Sequence, residues 1–223
     1  MSREKERKNE YRCNDKPKNK TTKEKKRIST KIIAQIGVLG AIAMVLMLFD
    51  IPLPFAPTFY KIDFSEVPVL IGAFTMGPVA GALIELVKIL LNLLIRGTST
   101  AGVGDLGNFL IGCAMCIPAS LIYQKLHSRK GAIIGMVTGT VFMTIVGCFI
   151  NAYLLLPAYA AAFHMPIDAL VAMGTAVNSH INSLLTFVLL SVAPFNLLKG
   201  FLVSLIVFLI YKKISPILQM GRE

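Results

Sequence analysis

The chain has 223 residues, of which 55% are hydrophobic, yet its formal charge is +11. Only 16% of the residues are charged, against about 25% in soluble domains, which excludes an ordinary soluble globular protein. Residues 1–31 contain thirteen Lys and Arg and five Asp and Glu, so they carry +8 of the charge, and the other 192 residues carry +3. Because the membrane-like part is nearly neutral, nucleic-acid binding is not expected, and the sequence predicts a polytopic membrane protein.

Several stretches reach the length of about 20 apolar residues that a helix needs to cross a bilayer. The predicted spans are residues 32–49, two helices within 67–95, and residues 106–123, 132–156 and 192–211. The run 67–95 is too long for one crossing and Gly77-Pro78 interrupts it, which indicates two short or tilted helices that meet at a tight turn. Residues 157–191 are expected to hold an interfacial or partly inserted helix, and Pro194 is expected to break the last helix near its start.

The orientation follows from the basic residues, because Lys and Arg in short loops stay in the cytoplasm. With six spans, the basic tail, the 125–130 loop and the C-terminal lysines fall on one side. We therefore predict an all-α integral membrane protein with six transmembrane helices and both termini cytoplasmic. Its predicted parts are a disordered basic tail (1–30), a six-helix substrate-binding domain (31–214) and a short cytoplasmic C-terminal tail (215–223).

Polar side chains at membrane depth are costly, so each is a candidate for function. Five of them fall in the outer halves of the predicted spans and are expected to line one outward-facing pocket: Asn92, Asn108, Asn151, Asn196 and Lys199. Lys199 has no acid near it in sequence, so either a ligand or a loop supplies its partner, or it snorkels to the headgroups. Glu85 and Lys88 are three residues apart on one helix face, which favours a neutralising pair over ligand contact.

Two further patterns leave alternatives open. The loop 96–105 has three glycines and three hydroxyl residues but no P-loop sequence, so it is either a flexible turn with Asp105 as a helix cap or a lid over the pocket. Small residues at four-residue spacing occur on two predicted helices: Gly131, Gly135 and Gly139 on one, Gly37 and Ala41 on the other. We expect both stripes to pack internally, with docking to a partner membrane protein as the alternative.

The sequence gives no sign of enzyme chemistry. Cys113 and Cys116 form a CxxC pair with no second pair or nearby His, so no metal site is predicted, and the four cysteines form no disulfide framework. Neither a Ser-His-Asp set, nor HExxH, nor a Walker motif is present, which argues against a protease or an ATPase within this chain.

Five short motifs occur together along the chain. They are FYKIDFSEVPVLIG at 59–72, Gly77-Pro78, GTSTAGVG at 97–104, NAYLLLP at 151–157 and APFNLLKG at 193–200. In combination they resemble the riboflavin-specific S component of energy-coupling factor (ECF) vitamin transporters, over residues 31–214. Ile89 stands where that family is expected to have Asn, and the basic tail is not part of the pattern.

The resemblance implies a multi-pass protein of the cell membrane that takes up riboflavin, with riboflavin as the transported ligand and no cofactor. It also implies three protein partners, a transmembrane coupling subunit and two ATPase subunits, besides membrane lipid. The ribityl chain would be held by Asn151, Asn196 and Lys199, whereas the first outer loop and the fourth helix would cover the isoalloxazine ring. The ligand-binding residues implied for these two elements are Thr58, Phe59, Tyr60 and Asn108, and those for docking on the coupling subunit are Gly37 and Ala41.

Other classes of function stay open from the sequence. One is a stand-alone ion-coupled secondary transporter in which Glu85 carries a proton, and another is a membrane-embedded enzyme or a structural helical protein. Riboflavin and FMN are not distinguished either, since Lys199 could meet a hydroxyl or a phosphate.

Overall fold

The computed structural model describes residues 30–53, 60–98 and 101–220, and this part of the chain is mostly helical. The helices are α1 (Thr30–Met47), α2 (Glu66–Met76), α3 (Pro78–Arg96), α4 (Val103–Leu126), α5 (Arg129–Ile150), α6 (Leu156–Ala162), α7 (Ile167–Thr175), α8 (Leu184–Phe187) and α9 (Ala193–Met220). Between α1 and α2, the two-residue strands β1 (Ile51–Pro52) and β2 (Lys61–Ile62) pair antiparallel and close the base of a loop. The predicted basic tail, residue 30 excepted, lies outside the described residues.

Five continuous helical segments in the described ranges, which we call rods, are long and apolar enough to cross a membrane: Thr30–Met47, Pro78–Arg96, Val103–Leu126, Arg129–Ala162 and Leu184–Ile210. They correspond to five of the six predicted spans. The sixth corresponds to α2, which has 11 residues and is therefore about 16 Å long, roughly half the thickness of the hydrocarbon layer. The described residues thus contain five long apolar rods and, among helices of 10–17 residues, one short apolar helix, α2.

The predicted interruption at Gly77-Pro78 separates α2 from α3. Gly77 has φ +104°, a backbone conformation that residues with a side chain rarely adopt. Pro78 is the first residue of α3, where its missing N–H leaves no helical hydrogen bond unmade. The prediction of two helices joined by a tight turn is confirmed; α2 is short, whereas α3, with 19 residues, is long enough to cross a membrane.

The prediction that Pro194 breaks the last helix is wrong. A single turn of π-helix, Val188–Val192, joins α8 to α9, so the rod begins at Leu184, eight residues before the predicted start. A second π-turn, Asn151–Leu155, joins α5 to α6 in the same way, just before Pro157. A wider turn changes which carbonyl each N–H faces, so the helix passes the proline without a clash.

The two stripes of small residues have different surroundings. A Cβ on Gly135 would lie 2.6 Å from the carbonyl oxygen of Ala119, and one on Gly139 would lie 2.6 Å from that of Met115. These glycines therefore let α5 pack directly on the backbone of α4, and the predicted internal packing is confirmed for them. Gly37 and Ala41, in contrast, are exposed on α1, and no other atom lies within 4 Å of a Cβ built on Gly37.

The main hydrophobic core lies between α1–α5 and α9, around Leu70, Ile84, Met115, Met143 and Val203. A smaller cluster packs α6, α7, α8 and the Val188–Val192 π-turn together and includes Phe187 and Ile181.

Gly135→Ala should lower the free energy of unfolding by about 1–3 kcal/mol, because its methyl group would overlap a backbone oxygen of α4. The thermal midpoint of the detergent-purified protein measures the effect. Gly37→Ala is the matched control, because no other atom lies within 4 Å of its methyl group. Both variants gain the same small amount of helix propensity. Equal midpoints for the two variants would contradict the packing described for α4 and α5.

Candidate ligand-binding site

The described part of the chain forms a cavity of about 460 Å³. Its walls come from residues distant in sequence: the end of α1, the loop through β2, α3, α4, the Asn151–Leu155 π-turn, α6 and α9. The volume is within the range of small-molecule pockets, which bury an organic ligand against mostly apolar walls and orient it with a few polar groups.

The structure brings together the polar residues that the sequence singled out. The cavity is lined by all five predicted pocket residues and by Tyr60: Asn92, Asn108, Asn151, Asn196 and Lys199. Thr58 and Phe59 lie outside the described residues. Gly97, Thr98 and Gly104, from the glycine-rich loop, also border the cavity.

Asn151 and Asn196 meet at Gly147 of α5. The Asn151 side chain donates to the Gly147 carbonyl at 2.8 Å, and a Cβ on Gly147 would lie 2.9 Å from the Asn196 amide nitrogen. The Asn196 amide in turn donates to the Val192 carbonyl at 2.9 Å, inside the Val188–Val192 π-turn. Each amide is therefore held by a backbone carbonyl of its own rod, and the missing side chain at Gly147 lets the two rods place both amides in one cavity.

Aromatic rings form another wall of the cavity. The ring of Tyr60 lies 5.0 Å from that of Phe195 and 6.3 Å from that of Phe187, measured between centroids. The Tyr60 hydroxyl donates to Asn151 Oδ1 at 2.7 Å, which fixes the ring between α9 and the π-turn. Flat apolar surface and oriented amides thus lie side by side, a combination suited to a ligand with both a ring system and hydroxyl groups.

Lys199 finds its partner in the loop before α2. Its Nζ donates to Asp63 Oδ2 at 3.1 Å and lies 3.8 Å from Glu66 Oε1. Only 4% of Lys199 is exposed, so the snorkelling alternative is wrong and a loop supplies the carboxylate. Burial alone would raise the pKa of the Asp63 carboxyl, but the ammonium groups of Lys199 and Lys88 lower it to about 2, so the pair is ionised at neutral pH.

A second set of charges lies behind this pair, away from the cavity. Lys88 Nζ lies 3.0 Å from Glu66 Oε1 and 2.5 Å from Glu85 Oε1, and it donates to Ser65 Oγ at 3.2 Å. The side chains of Lys88 and Glu85 are fully buried, and neither lines the cavity. The predicted neutralising pair of Glu85 and Lys88 is confirmed, with Glu66 as a further partner.

Asp105 does not cap its helix as expected. The helix begins two residues earlier, at Val103, and the buried Asp105 carboxylate accepts a hydrogen bond of 2.8 Å from the Asn92 amide. This bond joins α3 to α4 beside the glycine-rich loop. Both residues line the cavity, so the side chain acts across the pocket wall rather than on its own helix end.

The rim of the cavity carries exposed charges. Asp50 Oδ2 lies 3.0 Å from Lys61 Nζ and 3.1 Å from Arg96 Nη2, and the two basic side chains are 40% and 43% exposed. Exposed pairs of this kind contribute little to stability. Within the described ranges no three His, Cys, Asp or Glu side chains are placed to hold a metal ion.

Sequence reasoning missed the roles of Asp63 and Glu66. Both were recognised only as part of a motif, although they directly precede the apolar run that forms α2. The available signal was that two acidic residues lie next to an apolar run, on the side of the membrane predicted to have few basic residues. Their partner Lys199 lies 136 residues from Asp63, so local spacing could not identify the pair.

Lys88→Met should lower the free energy of unfolding by about 3–5 kcal/mol, because Glu85 would remain buried without a cation and Glu66 would keep only Lys199, at 3.8 Å. Lys61→Met is the control, and it should cost less than about 1 kcal/mol because its ion pair is exposed. Denaturation of both purified variants measures the difference. Equal losses would contradict the described burial of the Lys88 cluster.

Comparison with known proteins identifies the family. A family model described as "ECF transporter, substrate-specific component" matches residues 31–211. The riboflavin transporter FmnP of Bacillus subtilis is 35% identical over 198 residues, which cover 88% of this chain and 98% of that protein. The riboflavin transporter RibU of Staphylococcus aureus is 36% identical over 189 residues, covering 85% and 93%.

A solved structure described as the S component of a bacterial ECF transporter superposes with a TM-score of 0.65 at 36% identity. The match covers 84% of this chain and 97% of that one. Together with the five long apolar rods, these relatives make the protein a multi-pass membrane protein of a transporter family. The resemblance predicted from the motifs is confirmed: the chain belongs to the substrate-specific components of ECF transporters.

Proposed function

We propose that the protein captures riboflavin in the cavity and delivers it across the cell membrane as the S component of an ECF transporter. The observation that carries the proposal is that two amides, an ammonium group and an aromatic wall converge on one cavity in a chain whose relatives are named riboflavin transporters. Energy for uptake would come from ATPase subunits through a transmembrane coupling subunit, since this chain has no nucleotide-binding motif of its own.

The proposed pose places the ribityl chain against Asn151, Asn196 and Lys199 and the isoalloxazine ring toward the Tyr60–Phe195 wall and Asn108. Amides both donate and accept, so they suit a row of hydroxyl groups. Aromatic rings attract each other at centroid separations of about 4.5–7 Å, as the rings of Tyr60 and Phe195 do at 5.0 Å. The ring system of the ligand would be stabilised by contacts of the same kind with these two rings. Thr58 and Phe59, from the same loop as Tyr60, are proposed to contact the ring as well.

We propose six spans, namely the five rods and the short helix α2, with both termini in the cytoplasm. Lys125, Arg129 and Lys130 surround the α4–α5 turn, and the cavity opens near the opposite ends of these helices, at Gly104 and Asn151. By the distribution of basic residues the cavity then opens outward. A cysteine-accessibility assay with a membrane-impermeant reagent tests this orientation.

Titration of the ligand-free protein in detergent with riboflavin, followed by flavin fluorescence, tests the function itself. Tight binding of one riboflavin per chain without ATP supports a capture subunit, and unrelated vitamins should not compete. If the folded protein binds no flavin, the substrate assignment is wrong. The ion-coupled alternative has less support, because Glu85 is paired with Lys88 and does not line the cavity.

Asn196→Ala should raise the Kd for riboflavin about tenfold or more, because a buried ligand hydroxyl would lose its partner. Asn182→Ala is the control, since this exposed asparagine lies outside the cavity. The same fluorescence titration reports both constants. An unchanged Kd for Asn196→Ala would remove this residue from the proposed site.

Gly37 and Ala41 are proposed to dock on the coupling subunit, because both are exposed on α1 although small residues at this spacing usually let another helix approach. Gly37→Leu should therefore retain riboflavin binding but reduce uptake by cells several-fold. Ile42→Leu is the control, because Ile42 is also exposed on α1 but lies three or four residues from neither Gly37 nor Ala41. Normal uptake by the Gly37→Leu variant would contradict docking at this position.

A further inference from the structure

The ammonium group that would meet the ribityl chain is already neutralised by the protein. Lys199 Nζ donates to Asp63 at 3.1 Å and has Glu66 at 3.8 Å. Asp63 is held in place by Ser65, whose backbone N–H and hydroxyl both donate to its other carboxylate oxygen. The pair is therefore a fixed feature of the cavity wall, and both of its members line the cavity.

The surroundings of this pair supply no spare positive charge. The buried cluster consists of three carboxylates and two ammonium groups, from Asp63, Glu66, Glu85, Lys88 and Lys199. Even with Glu85 protonated, the positive and negative charges only balance. Asp105, also buried, adds a further carboxylate to the lining, and its partner Asn92 is uncharged.

The rim has the opposite balance. Lys61 and Arg96 share the single carboxylate of Asp50 there, so the mouth of the cavity carries one excess positive charge. These side chains are exposed to solvent, and their field is screened by salt. An anion that enters the cavity therefore meets one excess positive charge at the mouth, beside Lys61 and Arg96. It meets no excess positive charge at the buried end beside Lys199 and Asp63, which we call the closed end.

We propose that Asp63 is a specificity-determining residue. At the closed end of the cavity it favours the uncharged ribityl hydroxyls of riboflavin and disfavours the phosphate of FMN, the phosphate ester of riboflavin. The inference rests on the proposed function and on the proposed pose of the ribityl chain. A hydroxyl group donates to Asp63 or accepts from Lys199 without separating the ion pair. A phosphate that reaches Lys199 must also lie beside the Asp63 carboxylate, and like charges placed together in an interface strongly disfavour the wrong ligand.

The test is the ratio of the Kd for FMN to the Kd for riboflavin, measured by fluorescence titration of the full-length protein. In Asp63→Asn this ratio should fall by about tenfold or more, because Lys199 becomes free to pair with the phosphate. Asp50→Asn is the matched control: it makes the same change in charge at the rim, where screening should limit the change in the ratio to about threefold or less.

A ratio that stays unchanged in Asp63→Asn, while riboflavin still binds, overturns the inference. A larger fall in Asp50→Asn than in Asp63→Asn also overturns it, because the phosphate would then lie at the mouth. If the folded wild-type protein binds no riboflavin, the proposed function fails and the inference fails with it, so the two failures are distinguishable.

A second measurement uses the wild-type protein and does not depend on the folding of a variant. The second pKa of a phosphate monoester is about 6, so FMN gains negative charge between pH 5 and pH 8 while riboflavin stays neutral. The charged groups that face Lys199 are carboxylates and Lys88, and the other charged groups of the lining are Asp50, Lys61, Arg96 and Asp105. No histidine lines the cavity. The Kd ratio should rise several-fold with pH over this range, and a flat or falling ratio overturns the inference.

Discussion

Two buried lysines set the arrangement of the protein, because an ammonium group inside a membrane bundle is tolerated only when carboxylates surround it. Lys88 on α3 and Lys199 on α9 are joined through Glu66 at the start of α2. Asp63, in the loop before α2, pairs with Lys199 of α9. This pair fixes the loop to a residue 136 positions later in the chain. The cluster therefore determines where the closed end of the cavity lies and which polar atoms face it.

The two π-turns provide the other half of the cavity. Asn151 is the first residue of one turn, and Asn196 donates to the carbonyl of Val192, the last residue of the other. Both turns precede a proline, at Pro157 and Pro194, and they keep the rods continuous where an α-helix would be interrupted. The added residue in the Val188–Val192 turn rotates the part of the rod that follows it, which contains Asn196, whereas Asn151 begins the other turn. Both amides lie at Gly147. These two cavity-lining amides thus lie at backbone irregularities rather than on a regular helical face.

The sequence predicts the parts of this structure that depend on local pattern. Apolar run length locates the long rods, Gly77-Pro78 locates the break, and the cost of polar groups in hydrocarbon singles out Asn92, Asn108, Asn151, Asn196 and Lys199, which the fold then brings together. It could not identify Asp63 as the partner of Lys199, since that pairing is set by the packing of distant elements. It also failed at Pro194, where propensity predicts a break and a π-turn accommodates the ring. The length of α2 differs from a full span because Glu66 and Gly77 limit it at either end.

An experimental structure of the purified protein with bound riboflavin is the sharpest test of the proposed pose. We expect the isoalloxazine ring beside Tyr60 and Phe195 and the ribityl hydroxyls within about 3.2 Å of Asn151, Asn196 and Lys199, with the Lys199–Asp63 pair still formed. Riboflavin bound outside this cavity, or a ribityl chain directed toward Lys61 and Arg96 at the mouth, would contradict it.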